Sequence, residues 1–121
     1  MKKIIVLLAF SNIAFTQNIK STKDVEKVLD KLHLYAAEAN AKKYIDLFAD
    51  DAVFFGTDIS ERWPKVEFSK YATDRMSSGT GWTYFMKERN IYFSNDHKTA
   101  WFDEILTNKG YGEFRGTGVL K

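Results

Sequence analysis

The strongest constraint in this sequence is a change of period. Between Thr22 and Met76, apolar residues recur every three or four positions, the spacing of one helix face. From Trp82 to Leu120, side-chain character instead alternates residue by residue, which only a strand can present as two distinct faces. The alternation predicts three long strands over residues 82–94, 98–107 and 111–120. Asn95-Asp96-His97 and Asn108-Lys109-Gly110 supply the two turns. Helices first and an antiparallel meander afterwards make an α+β fold, with the helices packed on one face of the sheet.

The helical half divides at its punctuation. Ser21-Thr22 with Asp24 forms an N-cap and an acidic first turn. Val25, Val28, Leu29, Leu32, Ala36 and Ala39 then mark one apolar stripe, so a helix is expected over residues 22–39, with Leu34 opposite the stripe. Asn40 closes this helix or caps the next, shorter one, which turns Tyr44, Ile45 and Phe48 inward. Residues 52–56 read as a short apolar strand. Pro64 suits the first turn of a third helix, buried through Phe68, Tyr71, Ala72 and Met76.

A chain of 121 residues is one domain. Its start has the make-up of a targeting segment. Lys2 and Lys3 precede an apolar run from Ile4 to Phe10, and Ala14 and Thr16 are small residues before Gln17. The expected division is therefore a signal peptide over residues 1–16 and one domain over residues 17–121, periplasmic or secreted. The alternative is a buried N-terminal strand. The run is too short for stable insertion across a bilayer. The chain has 18 Lys+Arg and 16 Asp+Glu, and removing residues 1–16 takes two lysines and no acids, so the remaining domain is balanced. That balance gives no basic face for nucleic acid. With no cysteine, disulfides and thiolate metal sites are excluded.

One further pattern carries a resemblance. Phe48-Ala49-Asp50-Asp51-Ala52-Val53 is followed by Gly56-Thr57-Asp58 and Glu61-Arg62-Trp63. Later come Ala100-Trp101-Phe102-Asp103-Glu104 and Arg115-Gly116-Thr117-Gly118-Val119-Leu120. In this order, between a long helix and curved strands, these pieces resemble the SnoaL-like domains of the nuclear transport factor 2-like superfamily, found in many bacterial proteins, over about residues 22–121. The resemblance implies a cone: a curved antiparallel sheet wrapped around the long N-terminal helix and two shorter ones, enclosing a cavity. Members include steroid isomerases, polyketide cyclases, dehydratases and hydrolases, and subunits that only bind or dimerise, so the fold alone does not give the function. The steroid isomerases' base carboxylate would fall at Gly56 and their oxyanion tyrosine at Leu32, which disfavours that activity. Such domains usually continue past the Arg115–Leu120 strand into a last strand. Either the sequence is a fragment or the sheet lacks that strand, which would leave an open edge and with it lower stability or a partner covering the edge.

The candidate catalytic residues are Asp58, Asp103 and His33, each weighed against a structural role. Asp58 lies in a polar elbow, where it would serve as a rim acid or cap local backbone. His33 borders the apolar stripe of the long helix, with no second ligand at metal spacing, so no metal site and no cofactor is expected. Arg62 and Trp63 would close the cavity mouth, with Arg62 paired to Asp58 or Glu61. Strand parity is open in the sequence. If Trp101 faces inward, Asp103 does too and Arg115 neutralises it; if Phe102 faces inward, Glu104 is the buried acid. The candidate ligand contacts are Tyr44, Phe54, Arg62, Trp63 and Trp82, together with Tyr84, Arg89, Trp101 and Arg115.

Three functions fit these residues. The first is an exported domain that binds a small apolar molecule. The second is an isomerase, cyclase or dehydratase using a pocket carboxylate or His. The third is a dimerisation module, a homodimer through the outer sheet face.

Overall fold

The structure is a computed structural model that describes the backbone of residues 3–8 and the whole of residues 20–121. The expected cleavage point, Ala14 to Gln17, lies outside the described residues. The elements run β1 (Lys3–Leu8), α1 (Thr22–Ala37), α2 (Ala41–Asp46), β2 (Val53–Phe55), β3 (Arg62–Pro64), α3 (Lys65–Ser77), β4 (Phe85–Phe93), β5 (Ala100–Asn108) and β6 (Gly112–Leu120). The helices and the three-strand meander fall close to where the two periods put them, except that the first long strand begins at Phe85 and not at residue 82, and that Tyr71, expected on the buried side of α3, is partly exposed.

Local chemistry sets the helix ends. At α1 the Ser21 hydroxyl accepts from the Asp24 N–H while the Asp24 carboxylate accepts from the Ser21 N–H, so two otherwise unbonded donors are satisfied at once. Asn40 caps α2 by accepting from the Lys43 N–H at 3.1 Å. After α2, the Phe48-Ala49-Asp50-Asp51 turn is tied down by Lys65, whose ammonium donates to the Phe48 carbonyl at 2.7 Å and to Asp50 at 3.3 Å. Ala52 accepts from the Lys65 N–H, so the end of α2 and the start of α3 are fixed on the same turn.

The strands form one six-stranded sheet in the order β3-β2-β1-β6-β5-β4. Pairing within the meander is antiparallel and continuous, apart from an irregularity between Met86 and Glu88 on β4. A bulge of this kind sharpens the local twist, as a sheet curving around a helix requires.

One expectation is corrected here. The edge of β6 is not open, because Lys3–Leu8 pairs along it as β1, parallel to β6 from Lys3↔Phe114 to Val6↔Thr117, and also antiparallel to β2. Free N–H and C=O groups on two strand edges are strong attractors for an extended segment, and this segment satisfies both edges at once.

Burial settles the strand parity. Ala100, Phe102, Glu104 and Leu106 of β5 are buried, as are Phe114, Gly116, Gly118 and Leu120 of β6. This face packs on the α1 stripe of Val25, Val28, Leu29, Leu32 and Ala36. Trp101, Asp103 and Arg115 therefore belong to the outer face.

Candidate functional site

Between the inner face of the sheet and the three helices lies a cavity of about 340 Å³. Its walls are mainly aromatic. Phe54 stacks on Phe68 at 4.1 Å, Trp63 on Tyr71 at 5.3 Å, and Tyr71 leans on Trp82 at 6.1 Å. Tyr44 completes the group, with its ring 6.0 Å from Trp82 and 5.3 Å from Phe48. Offset and tilted contacts of this kind brace rings against each other, so the cavity is held open rather than filled by them.

Two glycines make room for this wall. A side chain at Gly81 would lie 1.8 Å from the Ala36 carbonyl oxygen. Only a bare residue lets the chain press against the end of α1, where the Trp82 N–H donates to that same carbonyl at 3.0 Å. At Gly56, a Cβ would lie 1.8 Å from a Glu61 carboxylate oxygen. Glu61 thus fills the side-chain space of the position that the steroid-isomerase resemblance assigns to a base, and it lines the cavity.

Glu104 projects from β5 into this interior and is only 2% exposed. One of its oxygens meets His33 Nε2 at 2.7 Å and the other accepts from Arg89 Nε at 2.8 Å. Arg89 is itself buried and reaches outward, donating from Nη1 to the exposed Asp30 at 2.8 Å. Burial works against the charge of Arg89, but Asp30 and Glu104 outweigh it and hold its pKa above the ordinary arginine value. A buried carboxylate needs both a cation and filled lone pairs, and here it has them from α1 and β4 at once. Gly116, opposite Glu104 on β6, leaves the carboxylate its space: a Cβ there would touch Glu104 Cγ at 3.4 Å. His33 and Glu104 line the cavity, whereas Arg89 stands behind Glu104.

The other candidates separate by position. Tyr44, Phe54, Trp63, Trp82 and Tyr84 line the cavity. Asp58 lies outside it, exposed, and accepts from the Ser60 hydroxyl at 2.5 Å and the Ser60 N–H at 2.8 Å. Those two bonds hold its carboxyl below the ordinary aspartate range. Arg62 is exposed and does not pair with Asp58 or Glu61 among the described residues. It faces Phe55 across the β2–β3 ladder, and its guanidinium lies over that ring at 6.0 Å. Asp103 accepts from Asn90 Nδ2 at 3.1 Å on the outer face, and neither it nor Arg115 lines the cavity. Trp101, also outside, stacks on its cross-strand neighbour Tyr92.

The sequence reading missed Arg75 and Tyr71 as cavity residues. Arg75, in the last turn of α3, holds its guanidinium 5.2 Å from the Trp82 ring. Its i+4 spacing from Tyr71 is the signal that would have shown both on one helix face. Among the described residues, no group of three or more His, Asp or Glu side chains is arranged to hold a metal ion. No helix among them is long and apolar enough to cross a membrane.

Residues 25–121 match the family profile of the SnoaL-like domain. The chain belongs to the SnoaL-like domain family. The α+β cone with helices followed by antiparallel strands is the fold of that family, within the nuclear transport factor 2-like superfamily. Neither the curated proteins nor the solved structures offer a match to the chain. In this SnoaL-like domain, the cavity and its one buried carboxylate have to be read from their own geometry.

Two outcomes follow from that geometry. Glu104→Ala removes the buried partner of Arg89, leaving it only the exposed Asp30, and should cost about 3 kcal/mol in urea unfolding. The double change Glu104→Leu with Arg89→Met removes both charges and should recover most of that loss. The second outcome concerns alkaline pH. Burial, with a smaller contribution from Tyr84, pushes the Tyr44 phenol well above the ordinary tyrosine value. The folded state therefore keeps a proton that the unfolded state releases above pH about 10, so stability is intact below that pH and falls as pH rises further. Unfolding midpoints measured across this range should fall less steeply in Tyr44→Phe than in the parent.

Proposed function

We propose that this domain binds a small, largely apolar molecule inside the cone. The observation that carries the reading is the cavity itself, about 340 Å³ and walled mainly by mutually braced rings, with His33, Glu61, Arg75 and Glu104 as the ionisable groups set among them. Ligand sites of small molecules have this composition, and its size suits a one- or two-ring compound. A panel of aromatic and alicyclic compounds should raise the thermal unfolding midpoint. Trp82→Ala, which removes one wall, should weaken the best binder about tenfold or more. If no compound in the panel raises the midpoint, the binding reading fails.

Acid–base catalysis is the second reading, and the contact between His33 and Glu104 favours it. A carboxylate bonded to one ring nitrogen fixes the imidazole's orientation and tautomer, and the other nitrogen is then free to accept a proton. Glu104 is in turn fixed by Arg89, so the imidazole is presented on a rigid support. The chemistry this supports is proton transfer within a bound molecule, of the isomerase, cyclase or dehydratase kind. His33→Asn separates the two readings. Under the catalytic reading it keeps the ligand-induced rise in midpoint and abolishes exchange of ligand protons with deuterated solvent; under simple binding neither parent nor variant catalyses exchange.

The basic and apolar start of the chain supports export, with residues 1–16 as the leader. Its removal would take β1 out of the sheet and bare the β2 and β6 edges, which another strand or a partner would then have to cover. The stacked Tyr92 and Trp101 on the outer face support self-association there, since exposed aromatic pairs are favoured at interfaces. Intact mass of the protein recovered from the medium or periplasm of an exporting host should correspond to a chain starting at Gln17. Recovery only of the full-length chain in the cytoplasm would exclude export.

A further inference from the structure

Among the described residues, the lining of the cavity holds one arginine, Arg75, and no lysine. The two acids of the lining are committed elsewhere. Glu104 is bonded to His33 and Arg89. Glu61 folds back on its own loop, where its Oε2 accepts from the Asp58 N–H at 3.4 Å and covers Gly56. No ion pair among the described residues involves Arg75. Its hydrogen bond within the described residues is a long one, from Nη2 to the Gly81 carbonyl at 3.5 Å.

Arg75 is nevertheless held in place. It lies in the last turn of α3, and its guanidinium rests over the Trp82 ring at 5.2 Å. A cation over a ring face gains attraction without giving up its N–H donors to an oxygen. Burial raises the Tyr84 phenol and the charge of Arg75 counters part of that rise, so the guanidinium also stands within electrostatic reach of Tyr84. Trp82 and Tyr84 line the cavity with Arg75, and Arg75 is exposed, which sets its guanidinium at the lip. An unpaired cation at the lip of an apolar cleft attracts an anion, and a planar guanidinium matches a carboxylate through two parallel N–H···O bonds. A carboxylate held there keeps contact with water and avoids the cost of entering the apolar interior. One guanidinium balances one negative charge, whereas a phosphate would call for more than one cation.

We propose that Arg75 is a specificity-determining residue of the cavity, and that the ligand class is a ring compound carrying one carboxylate. The carboxylate docks on Arg75 at the lip, and the ring enters between the aromatic walls, towards the buried Tyr44 and Phe68. This rests on the cavity being a ligand site, and it adds the charge of the ligand and the end by which it is held.

The test uses cinnamate and cinnamamide, which share ring, length and shape and differ in charge. Direct titration at neutral pH should show the parent binding cinnamate about tenfold more tightly, the scale of a hydrogen-bonded charge pair. The two compounds should compete for one site. Added salt should weaken cinnamate binding and leave cinnamamide binding unchanged. Arg75→Gln removes the charge; it should bring cinnamate to the affinity of cinnamamide, leave the latter unchanged and abolish the salt effect. Equal binding of the two by the parent, binding without competition, or equal weakening of both by the variant overturns the proposal and leaves the cavity reading intact. So does failure of cinnamate to bind where a neutral ring compound raises the unfolding midpoint. If no compound binds at all, both readings fall. Should the variant not fold, cinnamate binding that is indifferent to salt overturns the proposal by itself.

Discussion

A carboxylate buried to the extent of Glu104 cannot be tolerated without compensation, and much of this domain's arrangement follows from that requirement. Its partners arrive from α1 and from β4, so the long helix and the far strand of the meander are held to the middle strand through one side chain. Asp30 extends the chain to the surface and keeps Arg89 directed. The space for the carboxylate comes from β6, where Gly116 lies opposite. Replacing such a network by apolar side chains is often neutral or stabilising, so net stability does not explain the network. What it provides is geometry: a fixed depth for His33 at the cavity and a fixed distance between helix and sheet.

The cavity depends on a second constraint, the bracing of aromatic rings against one another. Aliphatic side chains in the same positions would relax into the void, since close packing is the default of protein interiors. Rings with few rotamers, stacked or tilted against one another, resist that collapse. The resulting interior has an apolar body with charged and polar groups at defined points: the His33–Glu104 pair between α1 and β5, Arg75 from α3, and Glu61 just before β3. An arrangement of this kind selects ligands by where their polar atoms fall, which is how one cone-shaped fold supports different ligands and reactions.

How far the site could be read before folding depends on the residue. Tyr44 follows from local pattern, because the period of its own helix puts it inward, whereas the unbroken apolar run around Phe54 does not say which way that ring points. His33 was legible as a residue at the edge of the α1 stripe, but its partner was not, because Glu104 lies 71 positions away in sequence. Asp103 and Glu104 are adjacent and chemically similar, and a strand's alternation says only that they point to opposite faces. The ladder with β6 decides between them: Gly116 and Gly118 can lie against the helix side, whereas Arg115 and Thr117 go outward with Asp103. Arg62 shows the same limit. Two acids near it in sequence suggested an ion pair, yet the β2–β3 register sets it over Phe55.

The sequence by itself determined the elements, their order and the α+β class, because hydrophobic period and capping are local properties that each segment expresses alone. It also determined that the interior would be aromatic and free of thiol chemistry. Tertiary structure decided which face of the meander is inside and which acid is buried. It also decided that the edge beside β6 is covered by a strand from the other end of the chain. These are pairings between distant segments, fixed by burial and by the satisfaction of backbone and charged groups across the whole sheet, and no single segment contains them.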